Sequence, residues 1–302
     1  MTDDPQPVTI KDKTMFDAAF STYSDRPSDY TFAQVFIWRN GSRIWKIIKG
    51  HLCVFVTVGS WSLLFPPLGN GPDFDEALAE ATEICKANGD GQESTLIECA
   101  AAEDMARMPA DRMQPRPISG DYVYATQRMI DLAGGALASK RQARNQFVKK
   151  HKAAVSDFRP AHTPVCLDLL DTWRDQMTDH PAHTKRGLEV EAAREAVLHA
   201  EALGLRGMVL YADGNPVGFT LGEMLTPDTC SIIIEKTDRN YNGAAQFIFS
   251  EFCRRNWPHT TFVNAGDDWE VPGLAWTKQS YRPVRRVPKF AMWERVPVKV
   301  QT

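Results

Sequence analysis

Apolar residues return along this chain with two different periods. Phe74, Leu78, Ala81 and Cys85 recur at spacings of four, three and four, the stripe of a helix with one face in a core. That pattern predicts a helix over Phe74–Ala87. Val190, Ala193, Val197, Ala200 and Leu203 mark a second such face, and Gly204 stands where a C-cap glycine would end it. A further helix is expected over Ala244–Arg255, with Ala245, Ile248 and Phe252 turned inward. Shorter apolar runs rich in β-branched and aromatic residues predict strands. In the first half these are Phe32–Arg39, Trp45–Ile48, Leu52–Val58, Trp61–Phe65 and Leu96–Cys99. In the second half they are Gly207–Tyr211, Pro216–Glu223, Thr229–Glu235, Thr260–Asn264 and a stretch near Val287–Trp293, with Asp213-Gly214 as a hairpin turn. Both halves alternate helices with antiparallel strands, which predicts an α+β fold of helices against a mixed sheet, used twice.

Length agrees with two such units, since 302 residues at roughly 150 per domain make two. We expect a disordered polar tail over 1–13, one domain over 14–155 and a second over 156–302. Residues 50–72 carry no Asp, Glu, Lys or Arg, long enough to raise the question of a bilayer span. Gly59, Ser60, Pro66 and Pro67 interrupt it and split it into two β-rich runs, so a buried hairpin is expected and no transmembrane span. A composition of 43% apolar and 24% charged residues is that of a globular protein. A net charge of −3 excludes a wholesale polyanion binder while leaving local basic patches open. Acids stand at the N-terminus where a signal peptide would need bases, so none is expected, and six cysteines without a Cys-x-x-Cys spacing suggest neither zinc nor a disulfide scaffold; a reducing, cytoplasmic setting is expected. Ten acids against one base between Asp73 and Asp104 read as a solvated face. His180 and His183 flank a proline in a polar loop, and no histidine pattern supports a metal ligand set, so none is assigned.

Three clusters could carry chemistry. Asn240, Asn242, Gly243, Ala244 and Ala245 open a helix directly after the strand ending at Glu235. Small residues at a helix start let a phosphate approach unpaired backbone N–H groups, although the same residues also suit a plain tight turn. Lys140, Arg141 and Arg144 crowd one helical turn within a run of six bases and no acid between Ser139 and Lys152. Such density points to an anion, or to a solvated linker helix, and without interleaved exposed aromatics the run is a poor case for reading bases. Asp267 and Asp268 follow a strand, with Lys278, Tyr281 and Arg282 close behind. They could hold or deprotonate an amine, or cap a turn.

Phe65-Pro-Pro-Leu-Gly69, Lys140-Arg-Gln-Ala-Arg-Asn145, Gly204-Leu-Arg-Gly207, Gly222-Glu223, Glu235-Lys236, Asn264…Asp268 and Lys278-Gln-Ser-Tyr-Arg-Pro283 together resemble, in order over about residues 25–290, the DUF2156 family. That family is similar to the C-terminal domain of phosphatidylglycerol lysyltransferases. The resemblance implies two tandem GNAT-like (N-acetyltransferase-like) domains with the site in the second. It implies an acyl- or aminoacyltransferase taking an acyl-CoA or aminoacyl-tRNA co-substrate, with no tightly bound cofactor, and a small or lipid-like amine or hydroxyl acceptor. The acyl donor's pyrophosphate would lie on Asn240–Ala245, and Lys140, Arg141 and Arg144 would meet remote phosphates, of tRNA for example. Glu235 or Asp268 would be base or amine holder and Tyr281 proton donor, with Glu223, Asp267, Lys278 and Arg282 around the substrate. The chain departs from the family at Asn240, where Arg or Gln is usual, and at Ala265-Gly266, where relatives carry Arg-Glu. A non-catalytic relative that binds an anionic ligand or partner is the alternative.

Overall fold

The computed structural model describes residues 4–39, 42–89, 95–176 and 183–295. His180 lies outside them, as does the side chain of His183. The chain forms two compact units, the first of residues 1–120 and 287–302, the second of 121–286.

Within the first unit, β1 (Gln6–Pro7), β2 (Arg43–Ile48), β3 (His51–Val56), β4 (Ser62–Leu63) and β5 (Thr95–Ala101) lie in that order. The expected tail is therefore partly ordered: Gln6 and Pro7 pair with Trp45 and Ile44, and Val8 is buried. α1 (Lys13–Phe20) and α2 (Phe32–Ile37) precede β2. The latter stands where a strand was expected. Its residues Phe32, Ala33, Val35, Phe36 and Ile37 are all buried, so the apolar run has no readable period, and the Thr31 side chain settles the matter by accepting from the Gln34 amide. β3 and β4 pair antiparallel as the charge-free hairpin, buried as expected. α3 (Phe74–Ala87) puts Phe74, Leu78, Ala81 and Cys85 into a core with Phe55, Leu63 and Ile97, while Asp75, Glu76, Glu80 and Glu83 face solvent. Asp104 departs from that acidic face. It is buried, accepting from Tyr23 and Tyr30 hydroxyls at 2.7 and 2.8 Å and from the Ala101 amide.

β6 (Met113–Ala125) carries the chain into the second unit, followed by α4 (Thr126–Asp131), α5 (Ala138–Lys150), β7 (Ala153–Asp157), α6 (Thr163–Asp175), α7 (His183–Leu198) and α8 (Ala200–Leu203). Gly204 then caps in the left-handed region at φ 75°. Next come β8 (Arg206–Ala212), β9 (Asn215–Thr226), β10 (Thr229–Thr237), α9 (Ala244–Asn256), β11 (Phe262–Asn264) and α10 (Pro272–Ser280). The second unit's strands run in the order β6, β11, β10, β9, β8, β7, antiparallel except β10 with β11. β12 (Arg285–Glu294) returns to pair antiparallel with β5 in the first unit, where β4 and β5 are likewise parallel. Each unit is thus a mostly antiparallel mixed sheet with helices against it, the α+β class expected from the sequence.

The boundary does not fall near residue 155. Met129, Leu137 and Phe147 belong to the second core with Ile248 and Phe252, and β7 pairs with β8, so the basic helix and its neighbours go with the C-terminal half. All six cysteines are buried free thiols. Among the described residues, no helix is long and apolar enough to cross a membrane.

Candidate active site

The parallel pair β10–β11 is short. It holds for Thr229–Phe262, Cys230–Val263 and Ser231–Asn264, and β10 then continues to Thr237 without β11 beside it. On the other edge of β10 the register with β9 shifts between Ile232 and Ile234, where one extra residue bulges out. The bulge sets Glu235 opposite Thr220. Glu235 Oε2 and Thr220 Oγ1 are both covered and both lack a hydrogen-bond partner. Burial pushes the Glu235 carboxyl up to about 8, against the attraction of the Lys236 ammonium, which pulls it down. Tyr281, just beyond α10, is packed against the rings of Tyr124 and Phe249 at 6.1 and 5.7 Å. Burial first, and then the charge of Glu235, holds its phenol well above the usual range, while a hydrogen bond from Gln246 in the first turn of α9 opposes this. Thr220 of β9 thus lies opposite the Glu235 carboxyl of β10 and Tyr281 feels its charge, while Gln246 of α9 bonds Tyr281.

The helix start behaves otherwise than the phosphate seat implied. Gly243 has φ 90°, and a Cβ there would stand 2.2 Å from the Ala143 carbonyl oxygen and 2.9 Å from Phe147. α5 roofs the beginning of α9, and the glycine serves this close approach of two helices. Ala244 is buried and its amide donates to the Tyr241 carbonyl at 3.0 Å; the Asn240 amide donates to Asp238 Oδ1 at 2.9 Å. Asn240 and Asn242 are exposed and Ala245 half-buried, so these five residues form a packed turn rather than an open anion cradle.

Two of the three clustered bases are likewise occupied. Arg141 donates to the Leu132 and Gly134 carbonyls, and Arg144 donates to the Ile130 carbonyl at 3.2 Å, which Arg254 also reaches at 2.9 Å. These guanidiniums satisfy the carbonyls left over where α4 ends, the end at which a helix dipole favours cations. Lys140 instead turns to Tyr281, its Nζ 4.7 Å from that ring, and burial lowers its pKa.

The Asn264–Asp268 segment builds a loop. Asp268 is buried, accepting at Oδ2 from the Tyr122 hydroxyl at 2.6 Å and at Oδ1 from the Glu270 amide at 2.9 Å. Asp267 accepts from the Trp269 amide at 3.1 Å. Trp269 and Glu270 have φ of 49° and 60°, conformations that these two side-chain contacts help hold. Lys278 donates to the Ala265 and Asp267 carbonyls. Asp267 and Lys278 thus face the loop's own backbone, Asp268 bonds both that backbone and Tyr122 of β6, and the turn-capping alternative is the one realised. Glu223 lies opposite Ser231 and, three residues along β9 from Thr220, on the other face of the sheet from Glu235. Arg282 is exposed beyond α10, in the left-handed region at φ 58°.

A family model for the C-terminal part of phosphatidylglycerol lysyltransferase matches residues 20–292. The chain belongs to that family. Among solved structures it is similar to a conserved protein of unknown function from Bacteroides thetaiotaomicron, at TM-score 0.83 and 24% identity over 96% of this chain and 99% of the other. It is also similar to L-PGS from Bacillus licheniformis, at TM-score 0.67 and 14% identity over 97% and 94%. An uncharacterized protein of Mycoplasmoides gallisepticum is 25% identical over 167 residues, 55% of this chain; the match spans about half (53%) of that relative's length.

In this family member, sequence reasoning singled out Glu235 and Tyr281, which the fold brings together, and passed over Thr220 and Gln246. Thr220 sits in a strand of ordinary β composition and Gln246 in a helical turn, so only the bulge and the α9 packing mark them. Trp276 was passed over too: α10 has no buried residue and hence no apolar stripe to read.

Proposed function

We propose that the chain is an aminoacyltransferase that moves an aminoacyl group from an ester-linked donor to an amine or hydroxyl acceptor, with Glu235 as general base. The observation that carries this is the Glu235 carboxyl, held near neutrality by burial, with one oxygen unpartnered beside the splayed end of β10. Ionised, it takes a proton from the acceptor as that atom attacks the donor carbonyl; the ester C–O bond then breaks. Tyr281, kept a neutral phenol, gives a proton to the leaving oxygen and takes back the one Glu235 holds, so both groups return to their starting states. The roofed start of α9 argues against a coenzyme A pyrophosphate there and in favour of aminoacyl-tRNA, with a lipid such as phosphatidylglycerol as acceptor in keeping with the family's name. The same roof also favours a second reading, a ligand binder without turnover.

Transfer of radiolabelled lysine from lysyl-tRNA to phosphatidylglycerol vesicles and to small amines tests both. Transfer that Glu235→Gln removes supports the enzyme. Binding of lysyl-tRNA with no transfer to any acceptor would leave the binder. A thermal-shift response to acetyl-CoA would reverse the choice of donor.

A further inference from the structure

The bases of α5 lie in a stretch whose aromatic, Phe147, is buried, and the fold supplies an exposed one from elsewhere. Trp276 on α10 is 72% exposed, and Lys140 Nζ lies 5.7 Å from its ring. Together with Ser139, Gln279, Ser280 and Arg282 they line a pocket of about 310 Å³, at the lower edge of the roughly 300–1,000 Å³ range of small-molecule sites. The lining contains two cations and no carboxylate, and neither Lys140 nor Arg282 makes an ion pair among the described residues. The exposed indole leaves apolar surface in water, and the two cations beside it carry positive charge with no counter-charge among the described residues. A flat ring carrying a phosphate satisfies both, since bases stack on aromatic side chains and basic groups meet the phosphate.

We propose that this pocket binds a nucleotide, its base stacked on Trp276 and its phosphate between Lys140 and Arg282. Lys140 also touches Tyr281, which in turn feels the charge of Glu235. The bound nucleotide is therefore the non-reacting part of the donor; this role, though not the binding, rests on the function proposed above.

Calorimetric titration of the whole chain with AMP, adenosine, ribose 5-phosphate and inorganic phosphate tests the site. AMP should bind roughly tenfold or more tighter than ribose 5-phosphate, as expected for one stacked base. Trp276→Ala should abolish that advantage and leave ribose 5-phosphate unchanged; because Trp276 is exposed, its circular dichroism should match the parent's. Lys140→Gln with Arg282→Gln should weaken both ligands and flatten their salt dependence. Equal affinity for AMP and inorganic phosphate, or an AMP affinity indifferent to Trp276→Ala, overturns the proposal. So does Trp276-dependent binding to anionic phosphatidylglycerol vesicles without AMP binding, which would make the patch a membrane contact. Binding is read without turnover. Intact transfer with no AMP site therefore defeats this inference alone, whereas an intact AMP site with an unimpaired Glu235→Gln enzyme defeats only the catalytic reading.

Discussion

Glu235 and Asp268 are both acids near strand ends, and their surroundings give them opposite roles. Glu235 lacks hydrogen-bond donors to its covered oxygen, so burial raises its pKa; Asp268 receives a phenol and an amide, which hold it in place. As a base, Glu235 must be ionised, so the transfer rate should rise as pH increases through about 8 and level off above. Glu235→Gln should remove that rise and lower kcat by about 10²–10⁴. Stability runs the other way. A carboxyl whose pKa is raised on folding favours the native state fully at pH below its ordinary range, and that contribution is lost as pH rises to about 8. Glu235→Gln should therefore melt higher than the parent at pH 9, with the difference vanishing near pH 4. Asp268→Ala should instead cost about 1–3 kcal/mol in urea unfolding at neutral pH, by leaving the Glu270 amide unpaired and removing the acceptor of the Tyr122 hydroxyl.

At the level of elements, the meeting of α5 and α9 decides what the glycine loop is for. A methyl group at residue 243 would overlap a backbone carbonyl and add left-handed strain, neither of which a side-chain rotation relieves. Gly243→Ala should lower stability by about 2 kcal/mol or more in chemical denaturation, without selectively weakening any phosphate-bearing ligand. An open phosphate seat would show the reverse: near-normal stability and lost affinity. The α2 segment teaches a related lesson. Where every residue of a short apolar run is buried, period cannot separate helix from strand, and one capping threonine outweighs the β-branched composition. By contrast α3, with charges on one side and core residues on the other, was legible to the residue.

For the molecule as a whole, two cores with separate membership mean that damage has an address. Phe252 is fully buried in the second core, and Phe252→Ala should cost about 3–5 kcal/mol. Hydrogen exchange should then accelerate across residues 121–286 more than in the core of Phe55, Leu63, Leu78 and Ile97. An equal acceleration everywhere would show one cooperative unit in place of two. The extent of the second unit was misread from the sequence because a basic, polar helix looks like a linker. Phe147 is the single buried residue on α5, so the helix shows no apolar stripe that would announce its packing.

What the sequence determined by itself was the set of amphipathic elements, the α+β class and the family, because these follow from periodicity, capping and collinear motifs that need no partner to be seen. It also placed Glu235 and Tyr281 among the candidates. Which candidates meet was decided by tertiary structure alone. The bulge in β10 selects the face on which Glu235 lies, helix packing closes the glycine turn, leftover carbonyls claim Arg141 and Arg144, and α10 carries Trp276 to Lys140. Each of these depends on contacts between separate elements, where burial and hydrogen-bond satisfaction, rather than local preference, set the free energy.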